Sequence, residues 1–258
     1  MIAVAIDGPA GAGKSSIARK VAEEIGFIYV DTGALYRSIG LHMLKKNIFP
    51  GDEQAVPREL EHVDIALEFK DGEQRVILCG EDVSDLIRTS EVSKASSQVS
   101  AIPAVREFLL ELQKNMAKTH NVIMDGRDIG TVVLPDAQVK VFLTASAEER
   151  AKRRHKEMLE KGNEADLSAI LEEIKERDER DANREIAPLV PAKDAVFVDT
   201  TGMTMQEVVD LLSDEYGWSD SVSNLSAKLQ RESIRYKEVL ELAAVLGYDI
   251  VWQKRREK

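Results

Sequence analysis

The sequence predicts an α/β protein: a five-stranded parallel sheet wrapped by helices. Three observations carry that reading. Short apolar runs at 2–6, 27–30, 121–124, 139–144 and 195–199 are separated by long stretches of helical periodicity. The first run leads straight into a glycine-rich loop that opens a helix. Finally, 258 residues, 43% of them hydrophobic, suit one sizeable domain with a real core and a small appendage.

The first run, Ile2 to Ile6, is rich in β-branched residues and reads as a strand buried on both faces. From Gly8 the chain spells G-P-A-G-A-G-K-S, which fits G-x-x-x-x-G-K-[ST] with Gly8, Gly13, Lys14 and Ser15. Ile17, Ala18, Val21, Ala22 and Ile25 then recur at helical spacing. As a bare pattern this is a glycine turn beside a lysine; strand, loop and helix together make it a phosphate site. Gly8, Pro9, Ala10, Gly11, Ala12, Gly13, Lys14, Ser15 and Ser16 are expected to frame the nucleoside triphosphate, with backbone N–H groups of the loop converging on phosphate oxygens and the helix N-terminus behind them. Lys14 is expected on the β- and γ-phosphates and the Ser15 hydroxyl on Mg²⁺, partly through water.

Composition narrows the class. Charged residues make up 31%, and no apolar run approaches the roughly 18 residues of a membrane span. The start of the chain carries no basic targeting segment, so a cytoplasmic protein is expected, without membrane association. The single cysteine, Cys79, excludes an internal disulfide; it lies in the apolar run Val76–Cys79 and is expected to be a buried structural thiol. The net charge is −11, unevenly spread. Residues 221–258 hold eight Lys/Arg and five Asp/Glu, a net +3, leaving −14 on the rest. An acidic body has no general grip on polyanions, so phosphate must be held by local arginine clusters.

The second strand ends in D-T-G-A-L-Y-R, Asp31 to Arg37. Leu35, Ile39 and Met43 follow at one-turn intervals, and Asp31 or Thr32 is placed to cap that helix. Arg37 is either a solvated arginine or a group projecting toward the sheet edge. GPAGAGKS, DTGALYR and the later DGRD together resemble the bacterial cytidylate kinases, nucleoside monophosphate kinases of the P-loop class. The resemblance covers residues 1 to about 217. It implies phosphoryl transfer from ATP, with Mg²⁺, to CMP or dCMP, and it puts Arg37 on the acceptor phosphate. Thr32 stands where many members have serine, which keeps the hydroxyl.

Between about 63 and 100 the periodicity shortens. DIALEF, a D-G step at Asp71-Gly72, QRVILC and a G-E-D step read as a small antiparallel sheet, and helix, a break near Pro103 and helix follow. Cytidylate kinases carry a β-rich insert of this kind where adenylate kinases carry helices. Ser97 and Arg106 match the family's cytosine-recognising pair; from spacing alone Ser97 is a surface serine.

The third strand is followed immediately by Asp125-Gly126-Arg127-Asp128. A carboxylate at the carboxyl end of a parallel strand sits in the ligand crevice, so Asp125 either supports the Mg²⁺ shell or takes a proton. The Arg127 fork suits two phosphate oxygens. By resemblance, Asp128 accepts from the exocyclic amine of cytosine, and a carboxylate there repels the uracil carbonyl.

Between the fourth and fifth strands, residues about 150–187 form a charged helical hairpin. Many of its charges read as solvated i,i+4 pairs. Arg177, Asp181 and Arg184 nevertheless share one face by spacing, with Arg150 and Arg154 one turn apart on the preceding helix. Such a basic face suits a lid over two polyphosphates. By resemblance, Arg177 and Asp181 take the sugar side of the monophosphate, Arg184 its phosphate, and Arg154 the transferred group.

After a helix that ends the family match, residues 221–258 form an α-helical extension. Val222, Leu225 and Leu229, then Val239, Leu242, Ala243 and Leu246, make amphipathic sets, and the string is similar to the later helices of small helix-turn-helix domains. The earlier helices would have to come from a segment the kinase also uses, so packing or oligomerisation is favoured over nucleic-acid binding. The expected organisation is a kinase domain, 1–220, expected to be monomeric, plus the extension, 221–258. The competing readings are a kinase for UMP or shikimate, or a DNA-binding regulator with a vestigial loop; intact Lys14, Ser15 and the arginine set oppose the last.

Overall fold

The computed structural model describes residues 1–202 apart from 71, 72, 161, 163 and 164. Met1–Thr201 form one compact unit. The helix expected after Met205 and the whole 221–258 extension lie outside the described residues, as does the Asp71-Gly72 turn.

Five parallel strands make the central sheet: β1 (Ala3–Asp7), β2 (Ile28–Asp31), β6 (Val122–Gly126), β7 (Val139–Thr144) and β8 (Val196–Asp199), in the order β2-β6-β1-β7-β8. The central strands β1 and β6 are buried along most of their length, as their unbroken apolar runs require. Register brings Asp31 beside Asp125 and Asp7 beside Gly126, so these four residues line up at the carboxyl ends. One sheet face packs Ala5, Val30, Val122 and Met124; the other packs Ile6, Ile123 and Leu143 against Ala18 and Ala22 of α1 (Lys14–Ile25).

The second core belongs to the insert side. Helix α2 (Thr32–Lys45) starts at Asp31, whose carboxylate accepts from the Ala34 N–H at 3.0 Å, so Asp31 rather than Thr32 is the cap. Leu35, Ile39 and Met43 are fully buried, each contributing roughly 1.5–3 kcal/mol. They meet α3 (Ala55–Glu59), α4 (Ser90–Val99), α5 (Pro103–Thr119) and the antiparallel sheet β3 (Ile65–Lys70), β4 (Glu73–Leu78) and β5 (Glu81–Asp82). At Gly40 a Cβ would lie 2.9 Å from the Ser96 N, so only glycine lets α4 come this close to α2. Pro103 opens α5 at its first turn, where its missing N–H costs nothing.

Cys79 departs from expectation. It is exposed, one residue beyond β4, at φ 49° before Gly80, because the strand ends at the buried Leu78 and the chain turns there. A feature absent from the sequence reading is the π-helical turn Ile129–Val133 directly after Asp128.

The hairpin is α6 (Ala147–Glu160) and α7 (Leu167–Ala182), joined by a small core of Ala151, Ile170 and Ile174. Its surface carries the expected i,i+4 pairs Glu149–Arg153 and Lys156–Glu160. Helix α7 ends at Ala182, so Arg184 does not share its face by helical spacing and acts from the segment beyond.

Candidate active site

The glycine loop spans the gap between β1 and α1. Gly8 has φ 145°, and a Cβ there would lie 1.9 Å from the Leu143 carbonyl oxygen; no other residue fits. Ala10, Gly11, Lys14 and Ser15 line a cavity of about 250 Å³ above the sheet's carboxyl edge. Gly8, Pro9, Ala12 and Gly13 shape the loop from outside that cavity, and Ser16 is exposed on α1.

Lys14 is buried and its Nζ donates to the Pro9 carbonyl at 2.7 Å. Burial, and then the neighbouring Arg127, hold its ammonium below the usual lysine range, while Asp125 and Asp7 oppose them. The Ser15 hydroxyl donates to Asp125 Oδ2 at 2.7 Å, Tyr29 donates to Oδ1 at 3.1 Å, and Thr32 donates to the Asp125 carbonyl at 2.7 Å. Burial, then the charge of Asp31, raise the Asp125 carboxyl above the ordinary range.

Seven cationic side chains (Lys14, Arg37, Arg106, Arg127, Arg154, Arg177 and Arg184) and four carboxylates (Asp31, Asp125, Asp128 and Asp181) line this one cavity. The excess is positive inside a chain of net charge −11. Arg37 Nη2 donates to Asp31 Oδ2 at 2.6 Å, and Arg127 Nε to Asp181 Oδ2 at 3.0 Å. Arg106 pairs with Asp128 and lies over the Tyr36 ring. Arg184 Nη2 donates to the Ala187 carbonyl at 2.9 Å, and Arg154 lies 3.7 Å from Glu173. Burial, then the charge of Arg127, bring the Arg177 guanidinium down to about 10. The Nε atoms of Arg37, Arg177 and Arg184 are buried with no hydrogen-bond partner among the described residues. Seven cations against four carboxylates give the cavity an electrostatic preference for anions.

Two sequence-predicted residues go elsewhere. Arg150 is not on the lid's phosphate face: its guanidinium is buried on Asp178 at 2.6 and 3.1 Å and on the Ala145 and Ala10 carbonyls. It ties the lid helix to the glycine loop. Ser97 lies outside the 250 Å³ cavity and faces the neighbouring space between α4 and α7, where its hydroxyl accepts from Arg180 Nη1 at 2.9 Å. Sequence reasoning missed Asp31, Tyr36, Ser93, Ser96 and Ser100 as cavity-lining residues. Asp31 and Tyr36 sit inside the DTGALYR string and could have been found there; the serines carried no signal.

Ser15 and Asp125 present oxygen donors in contact, the donor type that Mg²⁺ takes, and no cluster of three or more metal-ligating acidic, His or Cys side chains occurs among the described residues. A magnesium ion carried mainly by nucleotide phosphates fits such a site. No helix among the described residues is long and apolar enough to cross a membrane.

The family model for cytidylate kinase matches residues 4–217. The cytidylate kinase of Carboxydothermus hydrogenoformans is 50% identical over 219 residues, covering 85% of this chain and 99% of that protein. That of Caldicellulosiruptor bescii is 52% identical over 208 residues, covering 81% and 92%. A solved shikimate kinase from Bacteroides thetaiotaomicron aligns over 90% of this chain and 98% of its own with a TM-score of 0.42 at 12% identity.

Proposed function

The chain belongs to the cytidylate kinase family, and from that premise we propose the full reaction: the γ-phosphoryl group of ATP passes to CMP or dCMP, giving ADP and CDP or dCDP. Residues 8–16 receive the ATP phosphates and Lys14 follows the transferred charge. Arg37, Arg127 and Arg184 hold the acceptor phosphate, with Thr32 beside it. Arg177 and Asp181 take the sugar, and Asp128 with Arg106 reads the base; Ser97 joins them once Arg180 yields its hydroxyl. Arg154 neutralises the group in flight.

Ser15, supported by Asp125, would hold Mg²⁺, which when bound would neutralise negative charge on the phosphates. The chain's own work is positioning and charge stabilisation. An ionised acceptor phosphate needs no strong base, so Asp125 serves by orienting Ser15 and balancing Lys14. Anionic substrate would also lift Lys14 back toward full protonation, since what depresses it is burial and cationic neighbours.

The observation that carries the reading is the single cavity at the sheet's carboxyl edge lined by seven cationic side chains against four carboxylates. The reading takes a kinase domain of residues 1–220 with insert and lid and an extension over 221–258; the family match to residues 4–217 supports it. We place the protein in the cytoplasm with a monomeric kinase body. The test is a coupled ATP assay against CMP, dCMP, UMP, AMP, GMP and shikimate. Turnover concentrated on CMP and dCMP is expected; preference for UMP or shikimate would overturn the reading.

A further inference from the structure

Asp7 ends β1 and is 3% exposed, yet it belongs to neither the cavity lining nor any motif role. Its two oxygens accept from successive backbone N–H groups, Oδ1 from Ile129 at 2.8 Å and Oδ2 from Gly130 at 2.7 Å. These are the two residues that follow Asp128. Asp128 itself sits at φ −145°, ψ 26°, outside the regular helix and strand wells. Its carbonyl accepts from Val132 and Val133 at 2.9 and 3.2 Å, and its side chain pairs with Arg106. The π turn thus holds Asp128 from the downstream side, and Asp7 clamps the same turn from the neighbouring strand.

The clamp is tight. The Gly130 N–H reaches Asp7 Oδ2 at 2.7 Å, and a Cβ at Gly130 would crowd the Lys140 stem at 3.2 Å, so the turn is packed on both sides. The arrangement costs stability, since burial raises the Asp7 carboxyl to about 6 against the pull of those two N–H bonds. A group kept at a folding cost while it fixes an irregular turn beside a polar site has the character of a functional constraint.

We infer that Asp7 is a specificity-positioning residue: by fixing the turn after Asp128 it aims the Asp128 carboxylate, and so sets the choice between an amino-bearing and a carbonyl-bearing pyrimidine. The inference rests on the reading of Asp128 as the base-recognising group. Hydrogen bonds weaken steeply with angle, so a loosened turn erodes discrimination before it erodes phosphate binding, which other elements provide.

The experiment measures kcat/KM for CMP and for UMP, with KM for ATP, in wild type, Asp7→Asn, Asp128→Asn and the double variant. An asparagine offers one acceptor where the turn presents two donors. Asp7→Asn is expected to lower the CMP-to-UMP ratio by about tenfold, the scale of one hydrogen bond, and to leave KM for ATP within about twofold. In the Asp128→Asn background it should change the ratio no further. Should Asp7→Asn fold poorly, Gly130→Ala crowds the same turn against the Lys140 stem and should shift the ratio in the same direction. A ratio that falls for Asp128→Asn but not for Asp7→Asn or Gly130→Ala overturns the inference alone. Equal losses on CMP, UMP and ATP overturn it too, by making Asp7 a general structural support. An Asp128→Asn enzyme with wild-type discrimination removes the base-reading assignment and this inference with it.

Discussion

Arg127 Nε donates to Asp181 Oδ2 at 3.0 Å, joining the loop after the third strand of the sheet sequence to the lid helix 54 residues later. Both side chains are largely buried, and Arg184 lies 3.9 Å from the other Asp181 oxygen. Burial opposes ionisation of Asp181, yet Arg127, Arg177 and Arg184 together hold its carboxyl below the usual range. One carboxylate therefore balances three guanidiniums across two elements that close on the same cavity.

Asp181→Asn should then leave those guanidiniums repelling one another. We expect the free protein to lose about 1–3 kcal/mol, and CMP to restore more thermal stability to the variant than to wild type, because its phosphate supplies the missing charge. Melting curves with and without CMP check this. An equal CMP-induced shift in both proteins would refute it.

Lys14→Ala should cut turnover by about 10²-fold or more, as loss of a charged contact worth roughly 3–4 kcal/mol in the transition state implies. Affinity for CMP should stay near wild type, since Lys14 serves the donor phosphates. Steady-state turnover and CMP titration decide it: a variant retaining a tenth of the rate would mean the loop is misassigned.

Asp7 gives a pH prediction with a definite sign. Its carboxyl is raised from 3.8 to about 6, so the folded state binds the proton more tightly than the unfolded chain. The burial penalty is fully present above about 6 and is relieved as pH falls toward 3.8. Wild type should therefore gain about 2 kcal/mol of stability relative to Asp7→Asn between pH 7.5 and 4.5. Urea melts of both proteins at the two pH values measure the difference, in which the carboxylates common to both cancel. A difference that shrinks with acidification would contradict the assignment.

Removing residues 221–258 should leave CMP phosphorylation within about twofold of the full chain, because every proposed site residue lies at or before Arg184. Kinetics of the two proteins test it, and collapse of turnover on truncation would make the extension part of the enzyme. Sedimentation of both forms reports whether the extension pairs copies. A salt series on duplex DNA should reveal no binding at physiological salt; a salt-sensitive complex lost on truncation would reverse that expectation.

What the sequence determined by itself is what local chain chemistry dictates. Gly8 through Ser15 announced the phosphate loop because its glycines, lysine and serine must be close in sequence to wrap one anion. The Leu35, Ile39 and Met43 stripe gave α2, and the β-branched runs gave all five strands, since periods of 3.6 and 2 are properties of the backbone. Family resemblance then supplied roles for Arg37, Arg127 and Arg184 that spacing alone left open. Tertiary structure decided which equivalent-looking groups are free to act. Arg150 and Arg154 stand one turn apart on α6, yet Arg150 is consumed by Asp178 and the Ala10 carbonyl while Arg154 lines the cavity. Ser97 meets Arg180 from 83 residues away, and Asp7 reaches Gly130 across 123. Helical period puts a side chain on a face but not opposite a partner. That is set by how sheet order and the close α2–α4 approach at Gly40 fold distant segments onto one edge.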